Sequence, residues 1–141
     1  MLTRTFVVAA AVAALLAAAG CSSPDDSSVQ STPQGTVKAF YEAIAFDDVS
    51  AACRLESPDI DWIKLGGSCS DVVTANYPPG QSTNFADVAV DASKVTIDGD
   101  TALVPAGAVT FGGAPGKDGN NHLVRIKDQW YLTLDPNTTT N

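Results

Sequence analysis

Residues 32–53 read TPQGTVKAFYEAIAFDDVSAAC, and their periodicity decides the fold. Thr32 followed by Pro33 joins a side-chain N-cap to a residue whose missing N–H costs nothing in a first helical turn. Val37, Phe40, Tyr41 and Ile44 then recur at the three- and four-residue spacing that lines one face of an α-helix. The stretch predicts a helix from Pro33 to about Phe46. Asp47-Asp48 opens a second, shorter helix in which Val49, Ala52 and Cys53 repeat the spacing. Ser57-Pro58 starts a third piece carrying Ile60, Ile63 and Leu65, stopped by Gly66-Gly67. Cys69 begins a fourth through Val72 and Val73, ended by NYPPG.

Beyond Phe85 the apolar period changes from helical to two. Ala86, Val88 and Val90 alternate with Asp87 and Asp91, and Asp98-Gly99-Asp100 turns a strand holding Val95 and Ile97 into Thr101–Val104. A further strand, about Ala106 to Phe111, runs into the loop GGAPGKDGNN. His122 to Lys127, a turn at Lys127-Asp128-Gln129, and Trp130 to Leu134 form a last hairpin, with Trp130, Leu132 and Leu134 on one face. Helices followed by antiparallel strands predict an α+β domain, its N-terminal helices packed on one curved antiparallel sheet. The domain spans residues 35–136, with 137–141 as a tail.

Ahead of it, Arg4 precedes an apolar run from Phe6 to Ala19, and no acidic residue occurs before Asp25. A short positive region, an apolar core and small residues make up a secretory signal, residues 1–20. The run is short of the roughly 20 residues a spanning helix needs. SSPDDSSVQST, residues 22–32, is serine-rich and acidic with one isolated valine, so it is expected to stay disordered as a spacer, with residues 21–34 forming the tether. The chain carries 8 basic against 16 acidic side chains, a net charge of −8. Loss of the signal removes Arg4 and takes the charge to −9, a surface that repels phosphate backbones and argues against nucleic-acid binding.

Ala18-Ala19-Gly20-Cys21, with Leu15 and Leu16 upstream, resembles the lipobox of bacterial lipoproteins, although Ala18 stands where that pattern usually has leucine. The resemblance implies a thioether-linked diacylglycerol on Cys21, which becomes the first mature residue and anchors the chain to the outer face of the cell membrane. Acyl chains contribute about 0.8 kcal/mol per buried CH₂, enough in combination to hold a soluble domain without a spanning helix. The alternative is an ordinary signal peptide cut after Gly20, which leaves Cys21 a free thiol. With Cys21 lipidated, Cys53 and Cys69 remain, and exported chains usually pair such cysteines. A bridge closing a loop of this size stabilises by about 3 kcal/mol on loop entropy. Two thiols and the single histidine, His122, are too few and too scattered for a zinc site.

TVKAFYEAIAFDDVSAACRLESPD, CSDVV, a hairpin with an acidic turn and a closing DQWYLTL together resemble the NTF2-like, cystatin-like cone domain of many small actinobacterial lipoproteins. The resemblance covers nearly all of residues 35–135. It implies a long first helix across a strongly bent sheet, often with a pocket between them, and no single activity, because the fold hosts isomerases, hydrolases, adaptors and plain binding modules. Enzymes of this fold place an Asp or His in the cone, sometimes with a Tyr, beside a polarised carbonyl.

His122, Asp61 and Tyr41 are the corresponding residues here. His122 shares a strand face with Val124 and Ile126, expected to be the concave one; a strand-end position beside the glycine-rich loop explains it equally. Asp61, in the first turn of the third helix, is accounted for by the helix dipole. Tyr41 lies on the core face of helix one, where a packed aromatic is the simpler role. GGAPGKDG lacks the strand-to-helix setting and the Lys-Ser/Thr ending of a phosphate loop. Trp62 is a core residue or an exposed rim aromatic. No cofactor or metal is indicated. Three uses fit: a non-enzymatic module that binds a protein partner or a second copy through its sheet face, a pocket for a small apolar ligand such as a lipid, or a cone enzyme of isomerase or hydrolase type.

Overall fold

A computed structural model describes residues 26–117 and 119–137. Its helices are α1 (Asp26–Val29), α2 (Pro33–Ala45), α3 (Val49–Arg54) and α4 (Cys69–Asn76), and strands β1 (Val88–Val90), β2 (Thr96–Asp98), β3 (Thr101–Val104), β4 (Val109–Phe111), β5 (Ala114–Pro115), β6 (Asn121–Ile126) and β7 (Gln129–Thr133) follow them. The α+β order is the expected one. The sheet is not single: the strands divide into an antiparallel set β1-β4-β5 and a four-stranded antiparallel set β2-β3-β6-β7. Ala114–Pro115 falls in the expected loop GGAPGKDGNN and pairs with β4 instead, and the division depends on which strand each one meets.

Helix α2 forms as its sequence dictates. The Thr32 hydroxyl accepts from the Gly35 amide at 3.1 Å, Pro33 occupies the first turn, and Val37, Phe40, Tyr41 and Ile44 are all buried. Gly35 serves a close approach: a Cβ there would lie 2.4 Å from the Val29 carbonyl oxygen. The preceding segment is therefore seated against α2. Val29 packs against the core and Gln30 is buried, its side-chain amide donating to the Trp130 carbonyl at 3.0 Å while the Trp130 amide donates to the Gln30 carbonyl at 2.9 Å. This corrects the expected spacer, whose last residues, from Asp26 to Thr32, belong to the domain. Hydropathy missed this docking because it rests on one valine and on the hydrogen bonds of Gln30 to a strand edge.

That edge belongs to β7, and a second segment completes its cover. The Leu132 amide donates to the Leu55 carbonyl at 2.9 Å and the Ser57 amide to the Leu132 carbonyl at 2.7 Å, so residues 55–57 run parallel beside β7. An open row of strand amides and carbonyls is a template for aggregation, and here it is closed from both ends. The opposite edge, β2, is three exposed residues long.

Packing fills the space between α2 and the strands. Ala102, Val104, Leu123, Trp130 and Leu132 turn to the helix and are buried. At the other end Tyr41 stacks on Phe85 at 5.8 Å and meets Phe111 edge-on at 5.1 Å, with Phe40 and Tyr77 closing the cluster. Such ring pairs add about 0.5–1.5 kcal/mol each beyond their buried area.

Cys53 and Cys69 are bonded, with Cα atoms 6.0 Å apart. The bridge ties α3 to the first turn of α4, whose start is fixed by a reciprocal Ser68–Asp71 capping box. The third helical piece is a single 3₁₀ turn, Trp62–Leu65, ended by Gly66 at φ 108°. Asp61 is thus its N-cap, one position before the turn in which it was expected.

Candidate functional site

The four-stranded sheet has two faces, and pairing register assigns every side chain to one of them. Ile97, Ala102, Leu123 and Leu132 form a row across β2, β3, β6 and β7 on the helix side. Thr96, Leu103, His122 and Thr133 form the neighbouring row on the opposite side, followed by Asp98, Thr101, Val124 and Tyr131. His122 and Val124 therefore point away from α2. This corrects the expectation that they line the helix-facing surface. Strand β6 reads NHLVRI, apolar at positions 123, 124 and 126, and such a run satisfies either parity; Leu123, which is 1% exposed, is the residue that takes the core.

The outer face is not flat. Residues following α3 and β7 rise beside it, and together they enclose a groove of about 470 Å³. Leu103, His122, Val124 and Thr133 form its floor, Ser57, Asp59, Leu134 and Pro136 one wall, and Thr96 and Asp98 the far rim on β2. A volume in this range suits a small organic ligand. The His122 Nε2 lies 3.7 Å from an Asp135 carboxylate oxygen, within ion-pair range. Asp135 is held below the usual carboxylate range, chiefly by the Asn137 backbone amide and also by the Asn137 side chain and His122.

Among the described residues no hydrogen bond joins His122 to Ser57 or to Thr133, its neighbour across β7. The Ser57 hydroxyl accepts from the Asp59 amide at 3.2 Å. Ser57 lies beyond β7 and His122 on β6, so their backbones are two strand spacings apart, about 10 Å. Asp61 is exposed and caps the 3₁₀ turn by accepting from the Lys64 amide, and the Lys64 ammonium and amide hold its carboxyl below the usual carboxylate range. Tyr41 is a packed core aromatic whose hydroxyl donates to the Asn121 side chain at 3.4 Å. His122, Asp61 and Tyr41 consequently occupy three separate places. Trp62 is half-buried outside the main core, next to Ile63, which is 85% exposed. Cys21 lies outside the described residues.

Two polar residues escaped the sequence reading. Glu56 sits beside β7 with Leu132 as its bridge partner, and burial pushes its carboxyl up to about 7. Nothing in RLESPD marks it, since its partial burial arises from the pairing of residues 55–57 with β7. Asn121 opens β6 on the helix side and leaves its side-chain N–H donors without a partner among the described residues. No family, no curated protein and no solved structure matches this chain.

Proposed function

We propose that this chain is a cell-envelope lipoprotein, anchored through Cys21 to the outer face of the bacterial membrane, whose domain is a non-enzymatic binding module. Its working surface is the outer face of the four-stranded sheet. The observation that carries the reading is the contrast between a helix–sheet interior filled by Tyr41, Phe85, Phe111, Trp130 and Leu132 and a ligand-sized groove on the outside. A solvent-facing strand surface has no folding reason to present Leu103 and Val124 around a hollow; binding supplies one. The dispersed positions of His122, Asp61 and Tyr41 favour binding over proton-transfer catalysis.

Two measurements test it. Intact mass of the purified mature chain is expected to begin at Cys21 with added diacylglycerol, and a bare Cys21 terminus overturns the anchor. A Val124→Arg variant that keeps its melting temperature is expected not to restore what a deletion strain loses; full restoration overturns the outer face as the working surface.

A further inference from the structure

The groove has a charge pattern as well as a shape. Its floor is apolar at Leu103 and Val124, while Asp98 stands on its rim at β2 and Asp59 in its opposite wall. Asp98 belongs to β2 at one end of the strand order, and Asp59 follows the segment paired with β7 at the other, so the two flank the apolar floor. Neither makes an ion pair among the described residues. Four basic side chains are engaged away from the groove: Lys38 with Glu42, Lys64 with Asp61, Lys94 with Asp91, and Arg125 with Asp100. Asp135 already faces His122, the one basic side chain in the groove.

We infer that the groove takes a small ligand with an apolar body and a cationic group, seated on Leu103 and Val124 with its charge against Asp59 or Asp98. The inference rests on the outer face being the binding surface and adds the chemistry of what binds there. Charge selects this occupant over a second copy. A two-fold dimer through this face would oppose identical patches, bringing the acidic rim against itself, and like-charge juxtaposition across an interface is strongly unfavourable. An anionic amphiphile meets the same repulsion. A cation on an apolar stem gains both terms, because the floor removes its stem from water and weakens the screening of its charge.

The test compares three water-soluble probes with one hexyl tail: hexyltrimethylammonium, hexanesulfonate and hexyl glucoside. The chain is purified as the cell makes it, with Leu and Val methyl groups isotopically labelled, and the Leu103, Val124 and Leu134 signals are followed by NMR. The cation is expected to bind at least about five-fold more tightly than the other two, with the advantage shrinking as salt is added. An Asp59→Asn/Asp98→Asn variant is expected to lose that advantage, and an Asp47→Asn/Asp87→Asn variant, altered away from the groove, to keep it. Equal or tighter binding of the sulfonate or glucoside at these methyls overturns the cationic inference and leaves the groove standing as the binding surface. Absence of groove shifts with all three probes overturns both.

Discussion

The two faces of the four-stranded sheet are built from alternate residues of the same strands, yet they obey different constraints. On the helix side, Ala102, Leu123, Trp130 and Leu132 are held by α2 and each is less than a tenth exposed. On the outer side, Leu103, His122, Val124 and Thr133 are half-buried by one another and by the wall at residues 57–59 and 134–136. The first face is a packing problem with one solution. The second is free to carry chemistry, because changing it removes little from the core.

Neighbouring residues of β6 break or sharpen that contrast most directly. Leu123→Ala is expected to destabilise by about 3 kcal/mol, the cost of a core truncation and its cavity, while Val124→Ala one position on costs less than about 1 kcal/mol. Denaturant midpoints of the two variants decide it, and equal losses would remove the distinction between the faces.

The edge of β7 gives the next largest effect, through Glu56. Its folded-state carboxyl is raised from 4.5 to about 7 by burial, so the fold favours the protonated form. The unfolded chain ionises first, and stability is accordingly fullest below about pH 4.5 and lost as pH rises through about 7. Glu56→Gln is expected to stabilise by about 1–3 kcal/mol at pH 8 and to bring no gain at pH 4. Thermal melts across that range check the sign; a pH-independent difference would mean that the carboxyl is not buried as an acid.

A smaller loss is expected from Gln30→Ala, which removes one hydrogen bond to Trp130 and leaves the carbonyl still served by the Thr36 hydroxyl at 3.2 Å. About 1 kcal/mol is the expected cost. A loss above 3 kcal/mol would make the segment before α2 a larger part of the core than its hydrogen bonds imply.

Legibility followed the range of the interactions. The cap of α2, the turn at Gly99, the stop at Gly66 and the α+β order were readable because each is settled within a few residues by backbone geometry, whereas the Ser68–Asp71 box of α4, equally local, went unread. The Cys53–Cys69 pairing was expected on the assumption that Cys21 is set aside for lipid, and the bond is present. Parity in β6 was not, since NHLVRI offers apolar residues to both faces. The docking of Gln30 and the burial of Glu56 were not either, because both depend on an edge formed about one hundred and about seventy-five residues away, at Trp130 and Leu132.

The groove belongs to the same class. Its parts come from the residues following α3, from β2, β3, β6 and β7, and from the residues after β7, and none carries a motif. By itself the sequence determined where α2, α3 and α4 begin and where the apolar period changes from helical to two, both local properties. The tertiary structure decided which face of each strand meets α2, and with that decision sent His122 and Val124 outward. The reason is steric: only one set of alternate side chains fits against the helix, and the other set is left to make a surface.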